Sequence, residues 1–212
     1  MSMLLAGEAA HTLAAASASA VQSATASPAL WYVTRAAAVC AYLLLTLTVA
    51  LGILRSLARD FSIRPGWALD DIHQFLALLT GAFVLLHLAT LVLDPFIPFS
   101  LADLLLPFAQ PYRPFATDLG VLALYTLAVV LVSSWLRRHI AYRVWRGVHY
   151  TSFATFFLVT LHGLLAGADA GAPWMHAIYI GSAAAIVFLV FFRILAPTST
   201  SDKGASSGQA AK

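Results

Sequence analysis

Five long runs without a charged residue dominate this chain. Each has 18 to 23 residues, and about 20 helical residues are enough to cross the hydrocarbon core of a bilayer. A membrane β-barrel would require polar and apolar residues to alternate, and these runs do not alternate. The sequence therefore predicts an all-α integral membrane protein, a transmembrane bundle of five to six helices. The runs are Ala36–Leu54, Ile72–Leu93, Leu119–Leu136, Gly147–Ala168 and Ala170–Phe192.

The composition agrees with this class. Hydrophobic residues make up 61% of the chain and charged residues 10%, whereas about 25% of an average soluble domain is charged. The net charge of +3 gives no support to a nucleic-acid partner. Because Cys40 is the only cysteine, a disulfide, a thiolate metal site and an iron–sulfur cluster within one chain are excluded. The expected partner is a lipid membrane.

Segments of different composition flank the apolar part. Residues 1–29 are rich in Ala and Ser and contain no Lys or Arg, so they lack the basic start of a secretory signal. We interpret them as a tail that is mostly disordered or loosely helical. Residues 196–212 are rich in Ser, Thr, Gly and Ala, and we expect a disordered cytoplasmic tail. Residues 30–195 remain as the transmembrane domain.

The connection between the second and third runs is unusual. It extends from Asp94 to Asp118 and contains five prolines among Phe, Leu and Tyr residues. Proline interrupts a helix, so this segment is unsuited to span a membrane, and it is too apolar for a free loop. We interpret it as an outer lid at the membrane interface, with a short helix near Leu101–Leu106.

The basic residues are unevenly distributed. Ten of the twelve Lys and Arg residues follow the first, third or fifth run, and only Arg35 and Arg113 lie on the other side. Cytoplasmic loops carry an excess of Lys and Arg. The sequence therefore predicts a multi-pass plasma-membrane protein with its N-terminus outside and its C-terminus in the cytoplasm. The second and fourth runs then cross in the same direction, as parallel helices.

These two parallel runs carry histidines at matching spacings. His73 and His87 are 14 residues apart, and His149 and His162 are 13 apart, which corresponds to roughly 21 Å and 20 Å of helix. His73 would then lie at the depth of His149, and His87 at that of His162. Polar groups inside a membrane are costly and usually functional, and a neutral imidazole is a good metal ligand. The pattern predicts that all four ligate metal, in two planar cofactors stacked between the two helices.

The angular positions of the histidines fit this prediction unevenly. At 100° per residue, His87 returns to within about 40° of His73, whereas His162 lies roughly 140° from His149 on an ideal helix. The fourth helix must therefore be distorted or tilted. Gly81 lies between His73 and His87, where a missing side chain would let a macrocycle approach the backbone. Ordinary helix packing is the alternative explanation for this glycine.

The paired histidines, together with the segment Trp145-Arg-Gly-Val-His149-Tyr150, resemble the ferric-reductase-like transmembrane domain family. That family includes the membrane half of NADPH oxidases and ferric reductases, and the heme-binding subunit of the bacterial methionine sulfoxide reductase system. The resemblance covers about residues 30–195 and implies two b-type hemes, one held by each pair. The chain lacks the extra first helix and the fused cytosolic flavin domain of the oxidases. In that it is more similar to the stand-alone methionine sulfoxide reductase subunit.

The resemblance implies transmembrane electron transfer through two stacked bis-histidyl b-type hemes, by an oxidoreductase component without its own NAD(P)H or flavin domain. The expected donor is a cytosolic flavin reductase or another reduced flavin or flavoprotein, and the acceptor is extracytoplasmic. Any flavin would be supplied by or shared with a partner. Two alternatives stay open: a non-catalytic heme-binding redox sensor or assembly subunit, and a quinol-oxidising di-heme cytochrome.

Four arginines are candidate cofactor contacts. Arg64, Arg143 and Arg146 lie at the inner ends of the two histidine-bearing helices, where they would pair with heme propionates. Positive charge that sets the topology is the alternative explanation. Arg113 lies in the outer loops and would serve outer propionates or an anionic acceptor, or else contact water or lipid headgroups.

Overall fold

The computed structural model describes residues 28–60, 66–94, 99–109 and 113–196. The predicted tails lie almost entirely outside these residues. The described residues are helical and include no strand, which confirms the all-α class. The helices are α1 (Pro28–Asp60), α2 (Gly66–Leu93), α3 (Leu101–Leu105), α4 (Pro114–Trp135), α5 (Tyr142–His149), α6 (Thr151–Ala166) and α7 (Pro173–Leu195), with a 3₁₀ turn at Arg137–His139 between α4 and α5.

Five stretches of helix are long and apolar enough to cross a membrane, which confirms the five predicted spans. Four of them lie in α1, α2, α4 and α7, and the fifth combines α5 with α6. Helix α1 has 33 residues and extends past both ends of its uncharged run. Arg35 forms an ion pair with Asp169, and Arg55 with Asp70. Because acidic residues from other segments neutralise both arginines, the helix continues through them.

Helix α1 is the centre of the bundle. It packs along α2 and also contacts α6 and α7, while α4 packs along α6. The main core cluster joins α1, α6 and α7. In it, the ring of Tyr42 stacks on Phe156 at 6.0 Å between centroids and meets the edge of Tyr179 at 5.1 Å. Aromatic pairs at these distances add to the packing energy of the buried area.

The two histidine-bearing helices do not pack along each other. Among the described residues, α2 makes at most isolated backbone contacts with α5 and α6, and it approaches α4 at only a few positions. Helix α2 and the combined α5–α6 span also bury the smallest share of their residues among the five spans. The axes of α2 and of α5–α6 are therefore farther apart than those of two packed helices, and side chains reach across the space between them.

The short helix predicted near Leu101–Leu106 is present as α3. A capping box begins it: the Ser100 hydroxyl accepts from the Asp103 amide at 3.2 Å, and the Asp103 carboxylate accepts from the Ser100 amide at 2.8 Å. Hydrogen bonds from the hydroxyl and then the amide of Ser100 hold the pKa of Asp103 below its usual value. The capping box fixes where the helix of the lid begins.

Two hydrogen bonds attach the end of this lid segment to α4. The Phe108 amide donates to Asp118 Oδ1 at 2.8 Å, and the Tyr125 hydroxyl donates to the Leu105 carbonyl. Phe108 has a left-handed backbone conformation, with φ of 65°, which turns the chain back towards α4. The described part of the lid is thus fixed to the helix that also supports His162. Residues 95–98 and 110–112 of the predicted lid lie outside the described residues.

Candidate metal centre

His73 of α2 and His149 of α5 lie face to edge across the separation between their helices. Their ring centroids are 6.0 Å apart, with 65° between the ring planes. We call these two residues the first histidine pair, and His87 with His162 the second histidine pair. His87 lies farther along α2, and His162 lies on α6, which continues from α5. The structure thus brings together His73 and His149, which the matched spacings pair.

The geometry of the first pair can be compared with that of a metal site. A first-row metal ion binds an imidazole nitrogen at about 2.0 Å. With the nitrogen about 1.1 Å from the ring centre, two imidazoles on opposite sides of one ion would have centroids roughly 6 Å apart. The observed 6.0 Å fits this arrangement. Across the described ranges, no three or more His, Cys, Asp or Glu residues gather into a metal-binding group. A pair is suited to a metal whose other ligands come from a cofactor.

Three of the four imidazoles donate to a backbone carbonyl of a neighbouring helix. His73 Nδ1 lies 3.0 Å from the Thr48 oxygen and His87 Nδ1 3.1 Å from the Thr34 oxygen, both on α1. His162 Nδ1 lies 2.8 Å from the Ala116 oxygen on α4. A carbonyl can only accept, so Nδ1 carries the proton and Nε2 keeps its lone pair. Metal-ligating histidines almost always donate their other ring nitrogen in this way.

Helix α1 supports both histidines of α2 with the same spacing. Thr34 and Thr48 are 14 residues apart, as are His73 and His87. Because the two helices run antiparallel, the earlier histidine meets the later threonine. One continuous helix therefore holds two imidazoles in a fixed relation, and a shift of α1 along α2 would break both hydrogen bonds together.

A small residue follows each accepting carbonyl by one helical turn. A Cβ added at Gly52 would lie 3.2 Å from His73 Cε1. A Cβ added at Gly120 would lie 2.7 Å from His162 Cε1 and 2.8 Å from its Nδ1, which is closer than real side chains come. The two imidazoles reach their acceptors because these positions have no side chain. The three small residues are Ala38, Gly52 and Gly120, four positions after Thr34, Thr48 and Ala116 respectively.

His149 is held differently. Its Nδ1 lies 3.5 Å from the Ser134 hydroxyl of α4, and its ring stacks on Trp145 at 5.0 Å between centroids with 26° between the planes. The guanidinium of Arg137 lies 5.4 Å from the centroid of the Trp145 ring. The indole Nε1 of Trp145 is buried and has no hydrogen-bond partner within the part of the chain that the structure describes.

The distortion expected in the fourth span is located at Tyr150. Helix α5 ends at His149 and α6 begins at Thr151. The Phe153 amide bonds to the Tyr150 carbonyl at 3.2 Å, three residues back instead of four. A 3₁₀ turn has 3.0 residues and so advances about 120° per residue, which moves His162 back towards the side of His149. Three residues of such a turn advance about 60° more than three α-helical residues, so this local change in helix type removes part of the angular offset of the 13-residue spacing.

A comparison with protein families decides the identity of the fold. The family described as ferric reductase like transmembrane component matches residues 36–161, which is more than half of the chain. The chain belongs to this ferric reductase-like family. The match includes His73, His87 and His149 and ends one residue before His162. Comparisons with curated proteins and with solved structures gave no match.

Gly81 of this ferric reductase-like protein faces α4. A Cβ added there would lie 3.2 Å from Leu131 Cδ1, so the glycine lies at a close approach of α2 to α4. This contact agrees with the helix-packing explanation, and a role in admitting a macrocycle stays a prediction. The preceding Thr80 is 2% exposed and lies seven residues from each histidine of α2.

The predicted arginines near the first pair lie at the surface. The guanidinium of Arg146 donates from Nε and from a terminal nitrogen to the Tyr150 hydroxyl, at 3.0 and 2.9 Å. Arg143 is exposed on α5. Arg64 lies outside the described residues. Arg143 and Arg146 thus lie at the end of the bundle that holds the first pair. Among the hydrogen bonds of the described residues, none joins either arginine to His73 or His149.

Arg113 lies beside the second pair. Its guanidinium donates to the Leu165 carbonyl at 2.8 Å, and together with Ala116 it lines a shallow cavity of about 320 Å³. Ala116 is also the residue whose carbonyl accepts from His162. Ala116 therefore separates the imidazole of His162 from the cavity that Arg113 lines.

Sequence reasoning missed the residues that hold the imidazoles in place. Gly52, Gly120, Ser134 and the carbonyls of α1 and α4 gave no signal, because they lie on helices without the paired histidines. In the sequence, Trp145 stands out only as the first residue of the segment Trp145–Tyr150 that resembles the family. Its position four residues before His149, which stacks side chains on one helix face, is the signal that would have found it.

Proposed function

We propose that this ferric reductase-like protein is a transmembrane electron-transfer subunit with one b-type heme at each histidine pair. The observation that carries the proposal is the 6.0 Å between the ring centroids of His73 and His149, on helices that do not pack along each other. Hemes held by His73 with His149 and by His87 with His162 would supply one-electron carriers. Membership of the ferric reductase-like family supports electron transfer as the activity.

The role of the protein is to orient the ligands in advance. The carbonyls of Thr48, Thr34 and Ala116 hold the proton on Nδ1, so that Nε2 of His73, His87 and His162 is the nitrogen that binds iron. A fixed tautomer and ring plane remove the cost of ordering the ligand on binding. Apolar helices around the pairs exclude water, which favours neutral imidazole over imidazolium.

Polar groups near the first pair suit the carboxylates of a heme. The buried Nε1 of Trp145, beside His149, is a donor without a partner among the described residues, and a buried donor of this kind is costly unless something accepts from it. Arg143 and Arg146 lie at the same end of the bundle, and we assign them, with Arg64, to propionate pairing. In this proposal Gly81 admits one face of a macrocycle beside α2.

The distribution of charge supports one orientation. Exposed basic residues cluster at the end of the bundle that holds the first pair, which is the cytoplasmic end in this proposal. A cytosolic flavin reductase or other reduced flavoprotein then delivers electrons there, and the protein lies in the plasma membrane with its N-terminus outside. The residues are Arg137, Arg138, Arg143 and Arg146.

The opposite end offers a place for the acceptor. Arg113 and the cavity it lines lie beside His162 through Ala116. A guanidinium favours anionic groups, since it presents several donors in a planar fork. We therefore propose that the extracytoplasmic acceptor, or the outer propionates, meets the protein at this cavity.

Single histidine-to-alanine variants test the proposal. The purified wild-type protein is expected to contain two hemes per chain. His73→Ala and His149→Ala should lose the same heme in reduced-minus-oxidised difference spectra, and His87→Ala and His162→Ala should lose the other. His139→Ala, in the exposed 3₁₀ turn, is the matched control and should keep both. Full heme content in all four variants would refute ligation, and a heme-to-protein ratio of one would favour a single-heme sensor.

A further inference from the structure

Among the described residues, His149 of the first histidine pair differs from the other three histidines, because its imidazole has no backbone carbonyl as a hydrogen-bond acceptor. His73, His87 and His162 donate to carbonyls at 2.8 to 3.1 Å. His149 Nδ1 instead lies 3.5 Å from the Ser134 hydroxyl, beyond the usual length of a protein hydrogen bond. The second pair thus has two carbonyl-bonded imidazoles, whereas the first has one.

Trp145 occupies the position from which His149 could be oriented. The two rings are nearly parallel, at 26° and 5.0 Å, and both residues lie on the short helix α5, one turn apart. The guanidinium of Arg137 lies 5.4 Å from the indole centroid, so the indole contacts a cation as well as the imidazole. Stacking over this area restricts rotation of the imidazole about its bond to Cβ.

We propose that Trp145 is the positioning residue of the first histidine pair, and that stacking in place of a carbonyl bond makes this pair the more easily reduced heme site. The inference rests on the proposed function. A hydrogen bond from Nδ1–H to a carbonyl increases the basicity of Nε2, and a more basic axial ligand stabilises ferric iron. With one such bond instead of two, the first pair stabilises the ferric state less than the second.

The same argument gives the effect of removing the indole. Trp145→Leu would remove the stacked ring and free the imidazole of His149 to rotate, so that Nδ1 could reach a new acceptor. Water would then accept from Nδ1, which raises the basicity of the ligand and lowers the midpoint potential of that site alone. Trp145→Phe keeps an aromatic face but removes the indole N–H, so it separates stacking from hydrogen bonding.

The experiment is a redox titration of the full-length protein in detergent, followed by absorbance and by electron paramagnetic resonance. The largest g value of a low-spin heme depends on the angle between its two axial imidazole planes, so it reports rotation of His149 directly. His73→Ala and His87→Ala identify which component belongs to which pair. Trp135→Leu is the matched control, because Trp135 lies at the same end of the bundle and is 81% exposed.

Wild type should show the higher midpoint potential in the component that His73→Ala removes. Trp145→Leu should lower that potential and shift that g value, or lose that heme, with the second component unchanged. Trp145→Phe should restore the wild-type g value, because that value depends on stacking and not on the indole N–H. The proposal is overturned if Trp145→Leu changes neither signal, if Trp145→Phe fails to restore the g value, or if the first pair has the lower potential. Absence of two hemes in the wild type would refute the proposed function instead.

Discussion

His162 and Gly120 are in direct contact: a Cβ at position 120 would lie 2.7 Å from Cε1 of His162. Gly120 lies one turn after Ala116, whose carbonyl accepts from His162 Nδ1 at 2.8 Å. A side chain at position 120 would occupy the space of the imidazole. The ring of His162 therefore reaches its acceptor only because this position in α4 is a glycine.

The first prediction concerns this contact. Gly120→Ala should displace the ring of His162 and weaken heme binding at the second pair, while the first pair is unchanged. Overpacking of a tight site costs about 1–3 kcal/mol, so the heme affinity of the second pair should fall by roughly 5- to 150-fold. Heme occupancy measured by difference spectra during titration of the apoprotein gives the result. Loss of both hemes to the same extent would contradict it.

Gly52→Ala should produce a smaller effect at the other pair. The added Cβ would lie 3.2 Å from Cε1 of His73, a distance that a shift of a few tenths of an ångström relieves. Occupancy of the first pair should therefore fall less than that of the second pair does in Gly120→Ala. Gly181→Ala is the control for both variants, since nothing lies within 4 Å of a Cβ at that position. If Gly181→Ala also changed the occupancy of either heme, the effects of the other two variants would be due to the higher helix propensity of alanine and not to contact with the imidazoles.

The spans and the pairing of the histidines could be predicted because each depends on a pattern along one segment. The acceptors could not, because Thr34, Thr48 and Ala116 use their carbonyls, which are identical in every residue. The ends of α1 could not be predicted either. Arg35 marks the end of an uncharged run, and only the fold reveals that Asp169, which is 134 residues away, neutralises it.

A third prediction concerns the ion pair of Arg35 and Asp169. Arg35 Nε donates to Asp169 Oδ2 at 2.7 Å, and a second contact joins the other oxygen. The side chains are 27% and 19% exposed, so solvent screens the pair only in part. Asp169→Asn should lower the free energy of unfolding by about 1–2 kcal/mol, measured by thermal unfolding in detergent.

Because Arg35 follows Thr34, whose carbonyl accepts from His87, Asp169→Asn should also reduce heme retention at the second pair before the first. The exchanged variant, with Arg35→Asp and Asp169→Arg together, should recover part of the lost stability. Equal loss in the exchanged and the single variant would mean that side-chain shape, rather than charge, connects these segments.

The fourth prediction is the orientation of the chain. Cysteines replacing Ala20 and Lys203, each in a Cys40→Ser background, should differ in intact cells. A thiol reagent that does not cross membranes should label position 20 rapidly and position 203 only after the cells are opened. The basis is the ten-to-two distribution of Lys and Arg. Rapid labelling of position 203 with position 20 protected would reverse the topology and exchange the cytoplasmic and external pairs, and equal labelling at both positions would contradict five spans.

The last prediction is that the two pairs act in series across the membrane. Purified protein is reconstituted into vesicles with a reduced flavin on the side of the first pair and an electron acceptor that cannot cross the bilayer on the other. Wild-type vesicles should reduce the acceptor. His87→Ala and His162→Ala should abolish this transfer, because loss of the second heme removes the carrier nearest the acceptor and electron tunnelling falls steeply with distance.

In these two variants the first heme should still be reduced by the flavin, so about half of the wild-type heme absorbance change should remain. His73→Ala and His149→Ala should instead block reduction of the remaining heme by the flavin, although dithionite should still reduce it. The contrast separates a missing entry site from a missing exit site. If His87→Ala abolished reduction by the flavin while His149→Ala left it intact, electrons would enter at the second pair, and the direction proposed here would be wrong.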